Sequence, residues 1–428
     1  MTPQCDILVL APVEPAQVTP LRALLATMNA KPGHADPANV LVPFGLFPEI
    51  HVARFVVLKD ETRDDLRAFG REPRPLPIYL AFLVDADGEA GPLLDQMAAR
   101  AGEGLSRIFG HCADFTPGED VRAWMGRHLV KAQAVYRNRP GRTVRQIREE
   151  AALHAALSAE LRRAEAEGEV TPAALHARLR TYVRDNGPAL SPEAPTPAEW
   201  RRRHLWSLVS GIAILAVAVP LIVILSPIWL PVLRYHETSD PEITVPSDRV
   251  RQEAISALED HDVTNPFSAI GTIKPGGFRF ALVSAALWLI NFGSEHIYKR
   301  GRLARVGTIH FARWIVIDGG ERVLFVSNYD GSLEAYMDDF INKVAFGLNL
   351  AFSNGVGYPT TSFLLFQGAK REEQFKAFLR RRQQLSDVWY KAYPGLTAFD
   401  LARNSEIRQG LETPELTGPA LTAWLAKI

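Results

Sequence analysis

Three blocks of this sequence occur twice, in the same order. IHVARFVVL at 50–58 returns as IHFARWIVI at 309–317, matching His51 with His310 and Arg54 with Arg313. AFLVDADG at 81–88 returns as LFVSNYDG at 324–331, matching Asp87 with Asp330 and Gly88 with Gly331. VYRNRPGRT at 135–143 returns as WYKAYPGLT at 389–397, matching Tyr136, Pro140, Gly141 and Thr143 with Tyr390, Pro394, Gly395 and Thr397. Ordered repetition with loop-sized insertions points to an internal duplication. Each half must then build the same unit, which removes most folds open to 428 residues.

Within each half, β-branched and aromatic runs bounded by turn residues predict strands, and longer amphipathic runs predict helices. The first half reads as a strand CDILVLAPV, a helix around Pro20–Asn29, strands His51–Lys59 and Ile78–Asp85, and a helix Pro92–Gly110. The second reads as a strand near Ser268–Ile273, a helix Arg279–Tyr298, strands His310–Asp318 and Arg322–Asn328, a helix Leu333–Phe352 and a closing strand Ser362–Gln367. That order is βαββαβ, the ferredoxin-like unit. The expected fold class is therefore α+β, with tandem ferredoxin-like domains forming a pseudo-dimer. The first unit with its extension spans 1–157 and the second 268–428, each ending in a further helix, strand and helix.

Between the units, 158–204 holds charged helix and the Pro-rich stretch NGPALSPEAPTPA at 186–198, which reads as a linker. From 205 to 233 the chain carries no charge, long enough to cross a bilayer, where about 20 apolar residues suffice. Arg201, Arg202 and Arg203 precede the run, and Glu237, Asp240 and Glu242 follow it, so the leading flank is expected in the cytoplasm. Pro220, Pro227 and Pro231 leave a bent span or a re-entrant hairpin as open as a straight one. Residues 234–267 read as a second linker. The stretch Phe280–Phe292 is either the first helix of the second unit or a short returning span, since Lys299, Arg300, Arg302 and Arg305 follow it. A single span would separate the two units. Their pairing requires both on one side, expected to be the cytoplasmic side of the membrane.

Lys plus Arg equal Asp plus Glu at 48 each, so a dedicated nucleic-acid binder is not expected. Cys5 and Cys112 cannot make a disulfide framework or a thiolate cluster. No P-loop, GxGxxG, HExxH, GxSxG or paired CxxC is present. His51 and Arg54, like His310 and Arg313, are three apart on strands. They face opposite ways and cannot share a pocket without a bulge. Asp330-Gly331-Ser332 reads as a helix N-cap, with an acid pointing into a pocket as the functional alternative. Glu334 and Asp338 share a helix face that reads as solvated.

A tandem pair of ferredoxin-like units resembles the dimeric α/β-barrel superfamily, which includes dye-decolourising peroxidases and chlorite dismutase-like haem proteins. The segment from His296 to Gly301 resembles the stretch near the peroxidases' proximal histidine, and SNYDG keeps the last two residues of their GxxDG signature. The resemblance implies haem, with His296 or His310 as axial ligand and Arg313 and Asp330 as distal catalytic residues. Two functions are expected on these grounds. One is a membrane-attached haem-binding or peroxidase-like redox protein acting on a small molecule. The other is a non-enzymatic membrane module binding a lipid, small hydrophobe or protein partner.

Overall fold

The computed structural model describes residues 1–168, 171–243, 248–259, 262–298, 301, 303, 305–413 and 416–428. Lys299, Arg300 and Arg302, part of the basic run noted above, lie outside the described residues. The first half runs β1 (Gln4–Val13), α1 (Val18–Ala26), β2 (Ile50–Leu58), β3 (Ile78–Asp87), α2 (Ala90–Phe109), α3 (Val121–Arg127), β4 (Ala134–Arg137), α4 (Val144–Ala166) and α5 (Pro172–Asn186). Three connecting helices follow: α6 (Ala198–Ile224), α7 (Ser226–Ser239) and α8 (Arg249–Glu259). The second half runs β5 (Thr264–Thr272), α9 (Gly277–His296), β6 (Ile309–Ile317), β7 (Arg322–Asp330), α10 (Leu333–Phe352), α11 (Glu372–Arg382), β8 (Ser386–Lys391), α12 (Ala398–Glu412) and α13 (Gly418–Leu425). The chain is α+β.

Two four-stranded antiparallel sheets hold it together, in the orders β1-β3-β2-β8 and β4-β6-β7-β5. Each sheet takes its last strand from the other half. Trp389 of β8 lies opposite Arg54, and Val135 of β4 lies opposite Arg313. The incoming stretches first bond to their own half. Val130 N donates to Leu8 O and Gln384 N to Ser268 O, so the sheets are joined along both sides. Strand periodicity sorts the residues. Ile7, Val9 and Ala11 face the helices of the first half. Leu8 and Leu10 meet Ile270, Ile315 and Leu324 in a core between the two sheets. The expected closing strand Ser362–Gln367 is corrected: Thr361–Ser362 and Phe366–Gln367 pair only with each other. Phe363 and Leu364 carry φ of 50° and 64°, left-handed geometry that breaks a strand.

Repeated sequence gives repeated local structure. Thr143 and Thr397 each cap their helix, α4 and α12, with a reciprocal box to Gln146 and Asp400. Helices α2 and α10 both kink, at Ala101 and Val344. Ser332 caps α10, as expected for one residue of the Asp-Gly-Ser turn. Glu334 and Asp338 are not simply solvated, because both pair with Lys376 of α11.

Two helices, α6 and α9, are long and apolar enough to cross a membrane. They differ in surroundings. Val283 and Leu287 of α9 pack into the second half's core with Trp314 and Phe325, so α9 is a domain helix. Helix α6 buries only Gly211, where an added Cβ would stand 2.2 Å from Phe292 of α9. The far end of α7 is fastened too, with Asp240 pairing with Lys274 and Arg279. Gly211 to Asp240 would span about 44 Å if straight, whereas Arg279 and Phe292 are only about 20 Å apart along α9. The α6–α7 segment therefore bends, at Leu225, and both feet of the arch rest on the second half. Trp229 Nε1 donates to Ile222 O across the bend, 2.9 Å away.

Candidate functional site

The repeated histidines are bulge residues. Ile50 opposes Ala86 while Val52 opposes Asp85, and the same slip occurs between Ile309 and Phe311. The extra residue re-aims its side chain, which the three-residue spacing alone could not show. His51 Nε2 stands 2.9 Å from Asp87 Oδ1, and His310 Nε2 stands 2.7 Å from Asp330 Oδ1. The other oxygen of each carboxylate accepts the first N–H of a helix, Val144 of α4 or Ala398 of α12. These buried pairs thus pin the two capping helices to the sheets. Burial pushes the His310 imidazole below its usual value despite Asp330 beside it. Burial also pushes Asp330 upward, but His310, the Ala398 N–H and Thr264 outweigh it and hold the carboxyl below its usual range.

The repeated arginines reach across the inter-sheet core in opposite directions. Arg313 donates to Ile7 O (2.8 Å) and Val84 O (2.6 Å) and pairs with Asp85 at 2.6 Å. Arg54 donates to Phe267 O (3.0 Å), Ser327 O (2.9 Å) and Asn328 Oδ1. Burial lowers Arg54 to about 10, still charged at neutral pH. The void beside these groups holds about 10 Å³, about room for one water, and no tetrapyrrole fits there.

Of the residues expected around a haem, the structure joins only His310 and Asp330. Arg313 is committed to the first sheet. His296 lies at the end of α9, its ring 4.6 Å from that of His204 and 4.8 Å from that of Phe292.

Two other features have room for a ligand. The first is an apolar cavity of about 300 Å³ between α9, α10 and the second sheet. Its walls include Trp314, Phe325, Phe340, Val344 at the kink of α10, and Leu215 of α6. Phe346, Leu289 and Ile297, also on its lining, are 53%, 42% and 66% exposed and make an apolar rim. Two lining atoms, Trp314 Nε1 and Ser294 Oγ, are buried without a hydrogen-bond partner among the described residues. The second is an open cleft of about 1,080 Å³ where α6 meets α9, lined by Trp200, Arg203, His204, Ser207 and Glu295. At its edge His204 and Glu295, with the neighbouring His296, bring their ligand atoms within 4.8 Å of one another.

The sequence held signals for neither. Apolar cavity walls read as ordinary core. His204 and Glu295 stand at the ends of two apolar stretches, and only the packing of α6 on α9 at Gly211 and Phe292 brings them together. Compared with family models, curated proteins and solved structures, the chain matches none.

Proposed function

We propose that this protein is a membrane-embedded binding module that takes an acyl chain from one leaflet into the cavity beside α10. Its two halves are read as duplicated ferredoxin-like units in a dimeric α/β-barrel arrangement, both on the cytoplasmic side. The observation that carries the reading is the continuity between cavity and arch. Leu215 closes one wall of an otherwise apolar space, and its neighbours Ile212, Ile214, Val217 and Val219 are all at least half exposed. An exposed apolar helix of this extent is a membrane surface rather than a water-facing one.

The strand exchange supports the placement. A single span would put β4 and β8 across the bilayer from the sheets they complete. The chain turns back at Leu225 and both feet of the arch rest on the second half, so the arch dips into the membrane and returns. The cavity lies at the lower end of the roughly 300–1,000 Å³ usual for ligand sites, enough for part of a chain. Ser294 Oγ and Trp314 Nε1 supply the polar contacts that would fix its orientation.

The test is displacement of a fluorescent fatty acid from the detergent-purified protein, together with mass spectrometry of its organic extract. Gly347→Phe fills the cavity, where an added Cβ meets nothing nearer than 4.0 Å. Saturable probe binding and a stoichiometric extracted lipid are expected, both reduced at least tenfold in the variant. Equal binding by the variant, or none by the native protein, would overturn the reading.

A further inference from the structure

We propose that His204, Glu295 and His296 form a binding site for a divalent transition-metal ion of the zinc type, which locks the leading foot of the arch onto α9. The site is independent of the acyl-chain cavity and takes its donors from two elements. His204 sits on α6 one residue before the uncharged run, and Glu295 and His296 close α9.

The spacing suits a small ion. Donors 2.0–2.2 Å from a tetrahedral centre stand about 3.3 Å apart. His204 Nδ1 lies 3.3 Å from Glu295 Oε1, and His296 Nε2 lies 3.8 Å from Glu295 Oε2. No pair among the three exceeds 4.8 Å, so rotamer adjustments of about 1 Å complete the set. Two imidazoles and one carboxylate select zinc-like ions over magnesium or calcium, which favour all-oxygen shells.

The surroundings suit it as well. Ser207 Oγ lies 3.2 Å from Glu295 Oε2 and 3.1 Å from His296 Nε2. With an ion bound, its hydroxyl keeps its contact to Glu295 and orients that carboxylate, as outer-shell partners of metal sites do, while His296 Nε2 turns from the hydroxyl to the ion. His204 and Glu295 border the cleft of about 1,080 Å³, so a fourth coordination position opens to solvent. Gly211, two turns beyond His204 along α6, allows the close approach to Phe292 that brings His204 within reach of Glu295. An ion here would join α6 to α9 where no other charged contact does among the described residues.

The experiment uses the full-length protein in detergent, stripped with EDTA and titrated with Co²⁺ alone, then with Zn²⁺ as competitor. One Co²⁺ per chain is expected, with visible d–d bands that Zn²⁺ abolishes, and Zn²⁺ should raise the melting temperature. His204→Ala and Glu295→Gln should each weaken Co²⁺ binding at least tenfold and remove the melting shift. His236→Ala, on α7 at the far foot, should bind like the native protein. Glu295→Gln keeps the side chain's shape and decides the matter if the alanine variant does not fold. Absence of d–d bands in the native protein, or bands that persist unchanged in both site variants, would overturn the proposal.

Discussion

Asp85 supplies the carboxylate for a buried cation in the inter-sheet core, and its repeat partner Asn328 does not, which makes a controlled comparison possible. Asp85→Ala leaves the Arg313 guanidinium, 2% exposed, with only the Ile7 and Val84 carbonyls among the described residues. Arg54 also feels Asp85, so two buried guanidiniums lose negative charge at once. Breaking a buried pair from one side costs about 3–5 kcal/mol. Asn328→Ala removes one neutral acceptor from Arg54, which keeps Phe267 O, Ser327 O and Ser268 Oγ. That loss is worth about 1 kcal/mol. Chemical denaturation in mild detergent, followed by near-ultraviolet circular dichroism, should rank Asp85→Ala at least 2 kcal/mol below Asn328→Ala. The double variant Asp85→Ala/Arg313→Met should recover about 2 kcal/mol relative to the sum of its single changes. Equal costs for Asp85→Ala and Asn328→Ala, or strict additivity in the double variant, would refute the electrostatic reading of this core.

Glu259 of α8 accepts Ser386 N and Gln383 Nε2, and burial raises its carboxyl to about 7. Above its unfolded value of 4.5 and below about 7, the folded chain holds a proton that the unfolded chain has released. Its contribution is therefore full below 4.5 and is lost as pH rises towards 7. Glu259→Gln should make stability less dependent on pH between 5 and 6.5, by up to about 1.4 kcal/mol per pH unit, and identical slopes would count against it. Thr116→Cys and Gln409→Cys, exposed positions in the first and second halves, should label alike with an impermeant thiol reagent in a Cys5→Ser background. They should do so only in permeabilised cells. Labelling of one position alone from outside would restore a single span.

The repeated blocks were legible because they are contiguous, and the strands and capping threonines within them follow from local preference. Which strand completes which sheet was not, since WYKAYPGLT reads as a strand wherever it pairs. The bulges were invisible because His51 and His310 sit in unbroken β-branched runs, and only the slipped register shows them. TSFLLFQ reads as a strand by composition, yet Phe363 and Leu364 turn left-handed, and the buried Glu237 carboxylate accepts both of their N–H groups. Helix α9 was ambiguous for a physical reason. One face packs into the core and parts of the other meet α6 or remain exposed and apolar, so no polar stripe marks it as a domain helix.

Photocrosslinking tests most directly whether the cavity opens into the membrane. The protein is reconstituted in vesicles containing a phospholipid with a diazirine near the end of one acyl chain, irradiated and mapped by peptide mass spectrometry. Adducts are expected on cavity residues of α10 between Phe340 and Phe352 as well as on the exposed face of α6, with the α10 adducts lost in Gly347→Phe. Adducts confined to α6, with α10 unlabelled in the native protein, would contradict the account.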